Sequence, residues 1–343
     1  MPRCLDADAR HLAMRVAYIF VTDKRGYELT QHSAVSLALS QPTHCDIHVF
    51  CYQFLPKSST LFSAALNKLG SKLTLSSISD PTVEHHPARG RVTTPTLLKL
   101  AAANTLVDRY DRIVYLDNDI LVFDELKIAS INFGLAPIAA VVDMDLSANG
   151  SLRNSTWATG RSGTDEIGNY FNAGMIVFAT RNWRSSYLET YAAALEEHAK
   201  SCRYKLNCTS VDQCAINMTF ANLWVKLPAK HNMQAGTKFT RSWKTAAVRH
   251  YCGGRKFTPV SPFRNDRRDV VHLNRIRKLL GLRKTRFPIA YEIMFRLNVA
   301  RQYRDATDMR RFLAAVHTHD SVTLRRDAVA IAAEKADVTG IAA

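Results

Sequence analysis

The feature that most constrains the fold is an apolar run interrupted by two carboxylates, residues 112–123, Arg-Ile-Val-Tyr-Leu-Asp-Asn-Asp-Ile-Leu-Val-Phe. Apolar, β-branched runs of this kind are typical of a strand buried on both faces, in the middle of a mainly parallel sheet. Residues i and i+2 of an extended chain point to the same side, so Asp117 and Asp119 are predicted to share one side. Two close carboxylates repel each other unless a cation lies between them, and Mg²⁺ or Mn²⁺ is the expected cation.

The alternative is that residues 117–119 form a turn, because Asp-Asn-Asp is also common turn chemistry. The apolar residues on both sides favour the metal-binding pair over a plain turn, since a surface turn does not need them. Ligands of open α/β sheets bind at the carboxyl ends of strands, which is where this carboxylate pair is predicted to lie.

Short apolar runs alternate with helical patterns on both sides of this stretch. Strands are predicted over 16–21, 47–54, 73–78, 138–142 and 169–178, and helices around 34–39, 59–69 and 94–110. This alternation predicts an α/β fold with a doubly wound sheet. In the last of these strands Gly174 allows close approach of backbone or ligand. Residues 147–168, rich in Gly, Ser, Thr and Asn, are predicted to form a long loop over the site.

The charge balance favours an anionic partner. The 343 residues include 46 Lys and Arg against 30 Asp and Glu, a formal charge of +16, and 47% are hydrophobic, enough for a sizeable core. Such a charge favours a nucleotide, a nucleic acid or an acidic membrane surface.

The cysteines favour a reducing compartment. Seven cysteines, an odd number with no Cys-x-x-Cys pair, are predicted to be thiols. Cys202, Cys208 and Cys214 are evenly spaced, but a zinc site there would lack a tight ligand pair. No run is long enough for a signal-peptide core or a membrane span, so the chain is predicted to be cytoplasmic.

Several polar residues downstream are candidates for a site, and each has a simpler explanation. Asp143 follows the strand over 138–142, and Asn172 could satisfy backbone groups in a turn. Asp212, which precedes Gln213 at the start of a helical pattern, could cap that helix. His250 could be a core histidine with satisfied hydrogen bonds.

Together these motifs resemble glycosyltransferase family 8, which includes glycogenin and bacterial lipopolysaccharide galactosyl- and glucosyltransferases. In chain order they are Thr22-Asp23, Lys99, Tyr115-Leu116-Asp117-Asn118-Asp119, Phe171-Asn172-Ala173-Gly174, Asp212-Gln213 and His250-x-x-Gly253-x-x-Lys256. The resemblance covers roughly residues 14–260. It implies a GT-A fold, a nucleotide-sugar donor that is usually UDP-linked, Mn²⁺, and transfer that retains the anomeric configuration.

For the metal, the resemblance implies that Asp117 and Asp119 bind it and that His250 is the third protein ligand. An imidazole in the ligand set favours Mn²⁺ over Mg²⁺. For the nucleoside, it implies Thr22 and Asp23, with Tyr27 stacking on the base. The loop over 22–27 is one residue longer than in glycogenin.

For the rest of the donor, the resemblance implies a wider set of residues. Lys99 would reach the donor, Asn118 would lie among the donor-binding residues, and Gly253 with Lys256 would clamp the diphosphate. Phe257 stands where a tryptophan often follows that lysine.

For catalysis, the resemblance implies that Asn172, Asp143 and Asp212 bind sugar hydroxyls and that Gln213 lies beneath the anomeric carbon. The metal and Lys256 would stabilise the leaving diphosphate, and nearby dipoles would support an oxocarbenium-like transition state. Because Gln213 is a poor nucleophile, front-face attack is favoured, with a phosphate oxygen accepting the acceptor's proton.

The composition changes after Pro262. Residues 264–311 carry 14 Arg and Lys against five Asp and Glu, interleaved with large apolar residues. This basic amphipathic pattern predicts an element that binds an anionic membrane surface, or a helical cap on the domain with a solvated basic face. The predicted organisation is a disordered leader (1–13), a GT-A domain (14–262), a basic helical region (263–317) and a tail, disordered or loosely helical (318–343).

The sequence thus predicts a GT-A fold, a Rossmann-like doubly wound mixed sheet with a basic, mainly helical C-terminal extension. The predicted function is a retaining hexosyltransferase, peripheral on the inner face of the plasma membrane, that uses UDP-glucose or UDP-galactose to modify a cell-envelope saccharide such as lipopolysaccharide. Transfer to a protein or a soluble glycan is one alternative. A nucleic-acid-binding protein is disfavoured because no such motif is present, and the intact carboxylates disfavour a non-catalytic sugar binder.

Overall fold

The computed structural model describes residues 14–86, 93–144, 170–202, 210–238, 240–253, 256–258, 260, 265–286 and 307. The predicted loop over 147–168, the leader 1–13, the tail 318–343 and most of 287–317 lie outside the described residues.

A seven-stranded mixed sheet forms the centre of the molecule, in the order β3-β2-β1-β4-β7-β6-β8. Its strands are β1 (Val16–Thr22), β2 (Asp46–Tyr52), β3 (Lys72–Ile78), β4 (Arg112–Leu116), β6 (Ile138–Val142), β7 (Phe171–Ala179) and β8 (Trp224–Lys226). Within this sheet β7 runs antiparallel to its neighbours, β4 and β6, and the other pairs are parallel. The predicted doubly wound mixed sheet is confirmed.

Helices cover both faces of this sheet because its strands are apolar on both sides. In β1, Ala17 and Ile19 belong to one core cluster, whereas Tyr18 and Phe20 belong to the other. This alternation is the period of two expected for a strand. The helices are α1 (Tyr27–Ser40), α2 (Thr60–Lys68), α3 (Pro81–Glu84), α4 (Thr94–Leu97), α5 (Lys99–Asn104), α6 (Ser186–Lys200), α7 (Val211–Thr219), α8 (Arg241–Thr245) and α9 (Arg267–Leu279).

The apolar stretch over 112–122 is divided between two sheets, because the chain passes there from one sheet to another. β4 ends at Leu116, and β5 (Ile120–Val122) belongs to a three-stranded sheet in the order β5-β10-β9, with β9 (Met233–Gln234) and β10 (Val248–His250). Residues 118 and 119 form a turn between the two strands, and the two carboxylates lie at the carboxyl end of β4, as predicted for the pair. Ser33 Oγ lies 2.6 Å from the carbonyl oxygens of both Asn118 and Ile120, which stabilises the crossing.

The predicted helix over 94–110 is two short helices followed by turns. α4 and α5 meet at Leu98, and beyond Asn104 the backbone forms i→i+3 hydrogen bonds, such as that from Leu106 N–H to the Ala103 carbonyl oxygen. The indole of Trp183 donates to Asn104 Oδ1 at 2.8 Å. Lys99 therefore opens α5 instead of lying inside a long helix.

The C-terminal helix α9 packs against the domain. Its apolar residues Leu273 and Ile276 lie in the same core cluster as α1 and the small sheet. Asp266 and Asp269 form a capping box at its start, and both carboxylates bind the buried guanidinium of Arg249 on β10. Arg249 therefore fixes the start of α9 to the small sheet.

Candidate active site

Three predicted metal ligands converge where the two sheets meet. His250 Nε2 lies 3.6 Å from Asp117 Oδ2 and 3.2 Å from Asp119 Oδ1. One ligand atom from each of the three residues lies within 4.8 Å of the others. Two carboxylate oxygens and one imidazole nitrogen form a donor set that suits Mn²⁺ or Mg²⁺. The arrangement therefore fits a divalent cation.

The Lys256 ammonium binds Asp119 Oδ2 on the other side of this carboxylate. Burial alone would raise the pKa of Asp119, but Lys256 and His250 outweigh it and hold that pKa well below its usual range. Burial would likewise lower the pKa of Lys256, and Asp119 raises it. Asp119 is therefore ionised and able to bind a cation at neutral pH.

A second ammonium, that of Lys99, joins the carboxylate pair to α7. Lys99 Nζ lies 3.2 Å from Asp117 Oδ1 and 2.8 Å from Asp212 Oδ2, and the residue is only 1% exposed. It also donates to the Ala173 carbonyl oxygen at 3.1 Å. Burial would lower the pKa of Lys99, but Asp117 and Asp212 raise it, so the ammonium stays charged. The Asp212 carboxylate thus forms an ion pair with Lys99, and it does not cap its own helix.

Three of the residues predicted at the sugar site, Asp143, Asn172 and Gln213, form one hydrogen-bonded cluster. Asn172 Nδ2 donates to Asp143 Oδ1 at 3.2 Å and to Gln213 Oε1 at 3.0 Å. Gln213 Nε2 donates to Asp143 Oδ2 at 3.2 Å, and Gln213 Oε1 also accepts from the Ala173 amide. These contacts bring together residues from β6, β7 and α7 that lie up to 70 positions apart in the chain.

Asn232, which sequence reasoning missed, connects the metal ligands with this cluster. It is fully buried; its Oδ1 lies 3.0 Å from His250 Nδ1, and its Nδ2 donates to Asn172 Oδ1 at 2.8 Å. With Nδ1 as the donor, His250 presents Nε2 as an acceptor towards Asp117 and Asp119, the tautomer a metal ligand needs. A lone Asn in a polar stretch carries no signal of its own, so this link was visible only in the fold.

Gly174 gives His250 the space that it occupies. A Cβ added at Gly174 would lie 2.2 Å from His250 Cε1 and 2.6 Å from Nδ1, too close for any side chain. The sequence predicted a close approach of backbone or ligand at Gly174, and the group that approaches it is the His250 ring. The Asp117 amide donates to the Gly174 carbonyl oxygen at 2.8 Å, so β7 also fixes the first carboxylate.

The residues predicted to bind the nucleoside lie at the end of β1 and just after it, and β1 is parallel to β4. Thr22 is buried, and Asp23 Oδ1 accepts from the Gly26 amide at 2.7 Å, which closes the loop before α1. Asn118 Nδ2 donates to the Val21 carbonyl oxygen at 3.0 Å, so this loop lies beside the carboxylate pair. Tyr27 opens α1, with its ring edge against Phe54 at 5.6 Å between centroids. Base stacking by Tyr27 stays a prediction, as does the diphosphate clamp at Gly253 and Lys256.

The fold and the acidic end of its sheet are those of a GT-A glycosyltransferase. The chain matches the model of glycosyl transferase family 8 over residues 18–257 and belongs to that family. Family membership supports a hexosyltransferase, and members of the family generally use a nucleotide sugar and a divalent metal.

Known proteins similar to this chain agree with that assignment. A lipopolysaccharide 1,3-galactosyltransferase of Salmonella typhimurium is 26% identical over 208 residues, which cover 59% of this chain and 58% of that protein. The chain thus aligns with less than two thirds of this relative's length.

Solved structures show the same fold. Galactosyltransferase LgtC in complex with donor and acceptor sugar analogs has a TM-score of 0.58 at 20% identity, over 80% of this chain and 99% of that chain. The bifunctional glycosyltransferase WbbM has a TM-score of 0.54 at 18% identity, over 78% of this chain and 52% of that chain. At these identities the likeness shows the fold alone.

Proposed function

We propose that this chain is a retaining, metal-dependent hexosyltransferase that moves a hexose from UDP-glucose or UDP-galactose to a cell-envelope saccharide such as lipopolysaccharide. The observation that carries the proposal is the convergence of Asp117, Asp119 and His250 beside two ammonium groups, the buried one of Lys99 and the partly exposed one of Lys256. The similarity to the Salmonella lipopolysaccharide 1,3-galactosyltransferase supports this class of donor and acceptor.

In this proposal Asp117, Asp119 and His250 hold Mn²⁺ or Mg²⁺. The bound ion supplies a Lewis acid that neutralises charge on the leaving diphosphate. Lys256, whose side chain is 35% exposed, can turn from Asp119 to a phosphate oxygen of the donor. Lys99 is a positioning residue, because its buried ammonium fixes Asp117 relative to Asp212.

The amide and carboxylate cluster binds the transferred sugar. Asp143, Asn172 and Asp212 offer acceptors and a donor for its hydroxyl groups, and the Gln213 amide lies among them. An amide is a poor nucleophile, so the acceptor oxygen attacks the anomeric carbon from the side that the phosphate leaves. The bond to the acceptor oxygen forms as the bond to the phosphate oxygen breaks, and that phosphate oxygen takes the acceptor's proton.

The test is nucleotide release from a panel of nucleotide sugars with Mn²⁺, compared between wild type and Asp119→Ala. We expect turnover of a UDP-hexose in the wild type, and a loss of Mn²⁺-dependent UDP binding of more than about 100-fold in the variant, because one of three ligands is removed. Asp46→Ala, a carboxylate at the opposite edge of the sheet, is the matched control. Undiminished Mn²⁺-dependent binding in Asp119→Ala, measured by calorimetry, would refute the metal site.

We further propose that the protein binds the inner face of the plasma membrane peripherally. No helix among the described residues has both the length and the apolar character to cross a bilayer. The apolar face of α9 packs against the domain, as the cap alternative predicts, while its basic residues are exposed. Among the described residues, the exposed or partly exposed Arg and Lys residues on and after α9 are Arg267, Arg268, Arg275, Arg277, Lys278, Arg283, Lys284 and Arg286. Each contributes about 1 kcal/mol near an anionic surface.

Sedimentation with vesicles tests the membrane proposal. The protein should bind vesicles that contain anionic lipid at low salt, bind them less as salt rises, and bind neutral vesicles poorly. The double variant Arg275→Glu, Lys278→Glu should bind less, whereas Arg184→Glu, Lys200→Glu, with the same charge change on residues outside α9, should not. A wild-type protein that stays in the supernatant with anionic vesicles at low salt would show that α9 is a cap only.

A further inference from the structure

Two thiols and an imidazole meet at the junction of α6 and α7, away from the carboxylate pair. His198 lies in the last turn of α6, Cys202 follows that helix, and Cys214 is in the first half of α7. One ligand atom from each residue lies within 4.8 Å of the other two. His198 and Cys214 are buried, and Cys202 is partly buried.

The geometry of the two sulfurs suits a common metal ion better than a covalent bond. Cys202 Sγ and Cys214 Sγ are 3.8 Å apart, nearly twice the length of a disulfide bond, which is about 2.0 Å. Two thiolates that bind one zinc ion at about 2.3 Å in tetrahedral geometry are separated by about 3.8 Å. The observed separation is therefore that of two corners of a zinc tetrahedron.

We propose that His198, Cys202 and Cys214 bind a zinc ion. Two thiolates and one imidazole are soft and borderline donors, which favour Zn²⁺ over the hard cations that carboxylates bind. A Cys₂His set is also an established zinc ligand set with one open position. The two ion sites of this chain thus differ in chemistry: oxygen-rich at Asp117 and Asp119, sulfur-rich here.

A neighbouring hydroxyl group supports the thiolate form of one ligand. Tyr170 Oη lies 3.1 Å from Cys214 Sγ in the buried interior. The phenol can therefore donate to the Cys214 thiolate, the kind of outer contact that orients metal ligands.

The position of this site relates it to the sugar-binding residues. Cys214 directly follows Asp212 and Gln213 on α7, and the other two ligands lie at the end of α6. A zinc ion bound to all three would hold the end of α6 to the start of α7. It would fix the helix that presents Asp212 to Lys99.

Metal analysis of the full chain, purified with reductant and without chelator, tests this proposal. We expect one zinc ion per chain by plasma mass spectrometry in the wild type, and strong loss in Cys202→Ser and in Cys214→Ser. Cys51→Ser, a buried cysteine of β2, should keep its zinc. The Asp117→Ala, Asp119→Ala double variant should also keep it, which separates this site from the carboxylate pair and from the outcome of the proposed function.

Cobalt substitution reports the ligand type independently of activity. Co²⁺ bound to thiolates gives an intense near-ultraviolet charge-transfer band, which carboxylate and imidazole ligands do not give. We expect this band in the wild type and in the Asp117→Ala, Asp119→Ala variant, but not in Cys214→Ser. Circular dichroism checks that each variant is folded, and His198→Gln provides a variant that retains both thiols and should bind zinc weakly.

Three results would overturn the proposal. One is a wild-type protein that contains no zinc and takes up none when zinc is added. Another is zinc, or the cobalt thiolate band, that persists in the Cys202→Ser, Cys214→Ser double variant. The third is a Cys202–Cys214 disulfide, found by peptide mass mapping of protein purified without reductant, in a chain that binds no zinc after reduction.

Discussion

Asn232 offers the sharpest test of how the metal ligands are oriented. Replacing it with leucine keeps the approximate volume but removes the acceptor of His250 Nδ1–H and the donor to Asn172 Oδ1. Asn172 Oδ1 keeps its contact with the Gly174 amide, at 3.0 Å, so the imidazole N–H is the group left unsatisfied. A buried unsatisfied donor costs about 1–3 kcal/mol.

That cost is expected to appear in metal affinity as well as in stability. Loss of an outer partner of a metal-ligating histidine typically weakens metal binding about 10–100-fold, or about 1.4–2.7 kcal/mol. We therefore expect Asn232→Leu to raise the Kd for Mn²⁺ in the presence of UDP by this factor, as measured by calorimetry. Asn232→Asp keeps an acceptor for His250 but loses the donor to Asn172, so Mn²⁺ affinity should stay near wild type while turnover falls.

Asn217→Leu is the matched control. Asn217 is a buried asparagine of α7 that makes three hydrogen bonds, two of them to the backbone of Phe171, and its bonds do not involve His250. It should lower the melting temperature without changing Mn²⁺ affinity. If Asn232→Leu binds Mn²⁺ as tightly as the wild type, or if Asn217→Leu weakens binding equally, the orienting role of Asn232 is refuted.

Two further predictions concern the sugar site and the pH dependence of stability. Asp212→Asn should lower turnover strongly while UDP affinity, measured by calorimetry, changes little, because this carboxylate is proposed to bind a hydroxyl group of the sugar. An equal loss of UDP affinity would show that it serves the nucleotide. Burial lowers the pKa of His272, on α9, from its ordinary value of 6.5 to about 4. A depressed folded-state pKa gives stability that is complete above pH 6.5 and is lost as the pH falls towards 4, here by up to about 3 kcal/mol. Denaturant titrations of His272→Phe should show a smaller acid loss than the wild type; an equal loss would contradict this assignment.

The sequence predicted the large sheet well because its strands are short apolar runs. β1, β3, β6 and β7 lie within one or two residues of their predicted bounds. β1, β6 and β7 are buried on both faces, and such strands need no partner information to be recognised. The small sheet was not predicted, since β9 has only two residues and β5 continues the apolar run of β4. Periodicity cannot show that one apolar run is divided between two sheets.

The site was predictable where a motif carried it, and only there. Asp117, Asp119 and His250 were predicted as a set, and the structure places them together. Asn232 was missed because its role comes from two contacts with residues distant in the chain. In the proposed zinc site, His198 and Cys202 are four residues apart in the sequence, but only the fold brings Cys214 to them.

The crossing between the two sheets at residues 117–119 limits how these three residues could be grafted onto another protein. The Asp117 amide is bonded to β7 of the large sheet, whereas the Asp119 carbonyl oxygen accepts from the amide of Tyr251, just after β10 of the small sheet. The backbone of each of these two residues is thus hydrogen-bonded to a different sheet or to the residue that follows it. Grafting the three residues onto an ordinary turn would reproduce their order but not their spacing, because two separate sheets set the distance between the carboxylates.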